Sequence, residues 1–223
     1  MTDAAAFDDV LHKWRRRWPE WQVAEVFVPI AQRQPALAWL ALLGELADAA
    51  WSGSDPTPGA AKLGWWTEEL AGWARGARRH PLGKILQNVP APWAAMAAAL
   101  PALGASRVQV GDLASAIEAL APCAEAFADV SAVLFDPAAP TAAASTAWVL
   151  LGERALRQPP SGTPGETSAR GLLLQQPDLA IGSRPVRIHA ALVRGRLQRL
   201  DAGRDAVIPG WRALLTAWRA ARG

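Results

Sequence analysis

Apolar residues recur at helical spacing in almost every long segment of this chain, and that periodicity restricts the fold more than any other feature. The clearest stretch follows Ala60. There Leu63, Trp66, Leu70 and Trp73 share one face, while Lys62, Glu69 and Arg75 lie away from it. Ala and Leu dominate, β-branched runs are scarce, and no segment alternates as a strand would. The pattern predicts helices over residues 6–17, 29–52, 59–79, 91–103, 111–119, 121–135, 140–157, 185–201 and 209–222. Pro81 should stop the third of these at His80, where Arg78 and Arg79 meet the negative pole of the helix dipole. Two Pro/Gly-rich loops punctuate the pattern. Ser52–Gly59 reads as a tight connection, and Gln158–Gly165 is long enough to be mobile. With 223 residues and 51% hydrophobic content, the expectation is one all-α domain spanning 1–223, a helical bundle around a single core.

Twelve Trp against four Phe and no Tyr is unusual. Trp combines large apolar area with one N–H that needs a partner, which suits helix packing, an apolar cavity wall or a wet–dry boundary. Charge is also uneven. Residues 183–223 carry nine Arg and two Asp, a net of +7, whereas residues 1–182 carry fourteen basic and eighteen acidic groups, a net of −4. The simplest reading of the basic end is a solvated helix face. Docking to a protein partner or to an anionic membrane surface through these C-terminal helices is the functional alternative. No aromatic stacking platform interleaves the Arg residues, which argues against nucleic acid. Leu192, Leu197 and Leu200 give one helix an apolar side, and Trp211, Leu214, Leu215 and Trp218 give another to the next. The pair is expected to close the core in antiparallel fashion.

Cys123 is the single cysteine, so intramolecular disulfides and cysteine-based metal clusters are excluded, in keeping with a cytoplasmic, reducing setting. It lies in an apolar stretch without an activating base and reads as core. Met1–Val10 lacks the basic start and apolar run of a secretory signal. The most apolar stretch, Pro35–Leu46, is too short to span a bilayer, so any membrane association would be peripheral. His12, His80 and His189 have no metal-ligand spacing, and neither Gly-rich loop ends in Gly-Lys-Ser/Thr.

The run Lys62-Leu-Gly-Trp-Trp-Thr-Glu-Glu-Leu70, followed by His80-Pro81, resembles the region after the first aspartate motif of squalene and phytoene synthases. Upstream, Pro29 to Arg33 leading into Ala36–Glu45 resembles the family helix that runs into that motif. Arg184-Pro185 and Trp211–Trp218 resemble its closing helices. The family-motif positions are Arg33, Trp65, Trp66, Glu69, His80 and Pro81. The resemblance implies an isoprenoid synthase fold with a central apolar cavity, in a copy trimmed in its middle and late helices.

The family's chemistry condenses two prenyl diphosphates and needs magnesium held by two Asp-rich clusters on facing helices. Here the first cluster is reduced to Glu45 and Asp48, with Trp51 and Ser52 where further acid would be expected. The second, on the helix at 140–157, has Glu153 as its one carboxylate, followed by Arg154. Glu125 and Asp129 pair at i,i+4, as do Asp8 and His12, and both pairs read as solvated helix surface. The resemblance therefore implies a catalytically degenerate member, without cofactor or bound metal. It would act as a scaffold, as an accessory factor or as a binder of an apolar or isoprenoid ligand. The competing expectation is an active, magnesium-dependent prenyl transferase rebuilt on Glu45, Asp48 and a further carboxylate such as Asp129.

Overall fold

The computed structural model describes residues 3–108, 112–158 and 165–222. Every regular element among them is helical. In order they are α1 (Asp3–Arg17), α2 (Trp21–Ala24), a 3-10 turn (Glu25–Phe27), α3 (Ile30–Trp51), α4 (Thr57–Trp73), α5 (Gly83–Leu86) and α6 (Trp93–Ala105). Then come α7 (Leu113–Phe135), α8 (Ala143–Arg157), α9 (Ala169–Leu174), α10 (Arg184–Asp201) and α11 (Gly210–Arg222). One apolar core runs through them from Phe7 to Ala217. No described helix is long and apolar enough to cross a membrane.

Helix α3 is the axis. Its residues from Ala36 to Trp51 are apolar on nearly every side, the signature of a helix enclosed by others, and α1, α4, α5, α6, α7 and α8 all pack against it. Its C-terminus is closed by Arg107, whose guanidinium donates to the carbonyls of Ala50, Ser52 and Gly53. Trp51 is fully buried and donates its indole N–H to Ser106 Oγ at 3.1 Å. That position is filled by a packed indole and carries no carboxylate.

The elements depart from the sequence expectation in several places. Residues 113–135 form one helix, not two. Pro122 and Glu118 lie on the exposed side, so the carbonyl that Pro122 leaves without a donor can meet water. Helix α4 ends at Trp73, not near residue 79, because Gly76 takes a left-handed conformation (φ 81°) and Ala77 N–H reaches back to the Gly72 carbonyl. The short helices α2, α5 and α9 were not anticipated. Of the long Gln158–Gly165 loop, residues 159–164 lie outside the described residues, as does the expected helix start at residue 111.

Helices α10 and α11 do pair. The N-terminal Arg187 of α10 donates to the Ala220 and Ala221 carbonyls at the far end of α11, so the two run antiparallel. The expected contact surface is reversed, however. α11 buries Ala213 and Ala217, while Trp211, Leu214, Leu215 and Trp218 face outward.

Candidate functional site

Glu45 and Asp48 sit one turn apart on α3, and each is clamped between cations from two other helices. Glu45 Oε1 accepts from Lys13 Nζ of α1 at 2.6 Å, and Oε2 from Lys62 Nζ of α4 at 2.5 Å. Burial pushes the Glu45 carboxyl up, but the two ammonium groups outweigh it and hold the carboxyl below its ordinary value. Asp48 Oδ1 accepts from Arg157 Nε of α8 at 2.8 Å and lies 3.2 Å from Arg17 Nη2 of α1.

Across from Asp48, Glu153 of α8 is buried and shares Arg157 with it: the same guanidinium reaches both carboxylates. Glu153 Oε1 also meets His189 Nε2 of α10 at 3.0 Å. The indole N–H of Trp21 points at His189 Nδ1 from 3.4 Å, which leaves Nε2 to carry the proton toward Glu153. Burial works against the charged form of Glu153. Arg157 and His189 overcome it and pull the carboxyl down to about 2.

This donor set does not fit magnesium. A magnesium ion needs carboxylate oxygens free to enter an octahedral shell. Both oxygens of Glu45 and both of Glu153 already face positive groups or hydrogen-bond donors. The three carboxylates stand among four permanent cations, Lys13, Lys62, Arg17 and Arg157. No three His, Cys, Asp or Glu side chains converge as a metal set among the described residues. Glu125 and Asp129 are both exposed on α7.

The Trp-Trp and His-Pro residues do come together. Trp66 packs its ring 4.6 Å from that of His80, with Trp65 at 6.0 Å, and Trp66 and Trp93 both pack edge-on to Trp73. His80 Nδ1 accepts from Leu82 N–H, so Pro81 is turned back toward α5. Glu69 organises the group. Although it lies off the apolar stripe of α4, it is only 2% exposed. Its oxygens accept from the Trp73 indole (2.8 Å), the backbone N–H groups of Arg79 (2.7 Å) and His80 (2.8 Å), and Arg79 Nε (3.0 Å). His80 is thus a packed ring, not a helix-end cation, and burial holds it below its ordinary value despite nearby Glu45 and Glu69. Arg33 lies elsewhere, tying the start of α3 to the Val26 and Val28 carbonyls. Trp66 Nε1 and Arg157 Nη2 are buried with no acceptor among the described residues.

No protein-family model, no curated protein and no solved structure matches this chain.

Beside His189, an apolar pocket lined by Trp39, Phe127, Thr141, Ser145 and Val149 leaves a volume of about 40 Å³. That is room for about one water, far below the roughly 300–1,000 Å³ of an ordinary ligand pocket. Cys123 is fully buried, donates to the Ala99 carbonyl, and has its thiol pushed up to about 12 by burial, as a core residue should.

One buried pair escaped the sequence reading. Glu20, at the α1–α2 corner, accepts two bonds from Arg196 of α10 (2.9 and 2.6 Å) and a third from the Ile208 N–H (2.8 Å), and the guanidinium stacks 3.7 Å over Trp18. Arg196 therefore belongs to the core, not to a solvated basic face. Its sequence signal is that Arg196 stands four residues from both Leu192 and Leu200, on the apolar side of α10.

Proposed function

We propose that this protein is a catalytically degenerate scaffold of the squalene/phytoene synthase type, whose helical bundle serves binding or assembly and no longer condenses prenyl diphosphates. The observation that carries this reading is Arg157. Its guanidinium lies between Asp48 and Glu153, where the resemblance would place metal ions between two acidic helices. Lys13 and Lys62 neutralise Glu45, and Arg17 adds a second cation at Asp48. A protein that supplies its own cations at fixed positions has removed the negative field that would gather magnesium and orient a diphosphate. The convergence of Trp65, Trp66, Glu69, His80 and Pro81 supports kinship with the isoprenoid synthase fold. An apolar or isoprenoid ligand would need the small pocket beside Trp39 and Phe127, now about one water in volume, to widen.

The test is direct. The purified protein should consume neither farnesyl nor geranylgeranyl diphosphate with magnesium present. Magnesium-dependent turnover that disappears in Asp48→Ala would establish the active transferase instead. Quenching of Trp fluorescence by a prenyl alcohol, lost in a bulky Val149→Trp variant, would identify the pocket as the ligand site. Neither turnover nor quenching would leave protein assembly as the role.

A further inference from the structure

Helix α11 is turned inside out relative to an ordinary surface helix. Such a helix buries its large apolar side chains and exposes its charges. Here Ala213 and Ala217, both fully buried, face α10 and α2, while Trp211 (66% exposed), Leu214 (44%), Leu215 (38%) and Trp218 (41%) stand in solvent. At 3.6 residues per turn, positions 211, 215, 218 and 222 run down a single outward line. Arg212 and Arg219 border that line on one side and Leu214 on the other. Two guanidinium groups already lie over its indoles, Arg212 at 4.9 Å from the Trp211 ring and Arg222 at 4.6 Å from the Trp218 ring. The helix contains three Arg and no acidic residue.

We infer that α11 is an interfacial helix that docks this protein onto an anionic lipid bilayer. Indole rings favour the boundary between headgroup and acyl chain, where one side of the ring is apolar and the N–H stays wet. The Arg side chains beside them reach lipid phosphates at the depth the Trp rings set. Charge decides against a second copy of the chain on this face. A two-fold contact would bring Arg212, Arg219 and Arg222 of both copies together, with no carboxylate in the helix to receive them. The antiparallel packing on α10 holds the helix parallel to the protein surface, so it can lie flat without leaving the fold.

The experiment is flotation of the full chain with vesicles of phosphatidylcholine alone and with vesicles containing phosphatidylglycerol, at low and high salt. The expected result is binding to the anionic vesicles, weakened by salt. Both Trp211→Ala/Trp218→Ala and Arg212→Gln/Arg219→Gln/Arg222→Gln should lower that binding by at least about tenfold. The altered side chains are exposed, so circular dichroism and melting temperature should match the parent and separate lost docking from lost folding. Failure of the parent chain to float with anionic vesicles would overturn the inference, as would undiminished binding by the Trp variant. A dimer in light scattering that the Trp variant turns into monomers, without vesicle binding by the parent, would assign the face to self-association instead.

Discussion

Glu69 and Glu153 are both buried glutamates at the heart of a polar cluster, yet they are satisfied in opposite ways. Glu69 is served by its own neighbourhood: an indole one turn ahead and the backbone of residues 79 and 80. Glu153 is served by charge: Arg157, one turn on in α8, ties it to Asp48 of α3, and His189 reaches it from α10. The first arrangement shapes a turn. The second holds separate helices in register, and its members are costly to bury unless all are present. Local hydrogen bonding and long-range ion pairing thus divide the work of organising one bundle.

The sharpest way to break this contrast is Arg157→Met, which strands Glu153 and Asp48 near one another without their shared cation. It should cost about 3–5 kcal/mol in urea unfolding, and a loss under about 1 kcal/mol would show that the interhelical pairs are incidental. Glu69→Gln keeps one acceptor and removes the charge. A loss of about 2 kcal/mol is expected, with the near-ultraviolet signal of the Trp cluster changed but the urea m-value preserved. Acid should separate the two regions in sequence. His80 sits below its ordinary value of 6.5, so the unfolded chain takes up that proton first and stability begins to fall as pH drops below about 6.5. Glu153, depressed from 4.5 to about 2, contributes stability that is intact above about 4.5 and is lost as pH falls toward 2. Replacing His80 with Gln should abolish the upper phase and leave the lower one. The smallest effect belongs to the surface: Glu125→Gln/Asp129→Asn should change stability by no more than about 0.5 kcal/mol and leave any activity untouched.

These regions also show what a sequence discloses. Long helices were legible because their apolar period persists over several turns; α2, α5 and α9, at four to six residues, are too short to show one. Pro122 suggested a break because a proline costs one hydrogen bond, but exposure lets water replace the bond, and exposure is a tertiary property. Glu69 lies off the apolar stripe, and its burial cannot be read from that stripe alone, although its i,i+4 relation to Trp73 was visible. In α11 the period correctly grouped Trp211, Leu214, Leu215 and Trp218. It could not tell which side the core lay on, because Ala213 and Ala217 form a second stripe that a close-packed neighbour can use. The carboxylates Glu45 and Asp48 were singled out by position, but their cationic partners were not. Lys13, Arg17 and Arg157 lie far from them in sequence, and pattern reading sees only near neighbours.

The buried pair Glu20–Arg196 carries a consequence for how the chain comes to be made. Glu20 leaves the ribosome 176 residues before Arg196, and its third donor, the Ile208 N–H, follows later still. During synthesis at about 5–20 residues per second, the α1–α2 corner therefore waits roughly ten seconds or more with an anion it cannot shelter. This contact can form only once α10 and the segment after it have been made, so it is among the last to close.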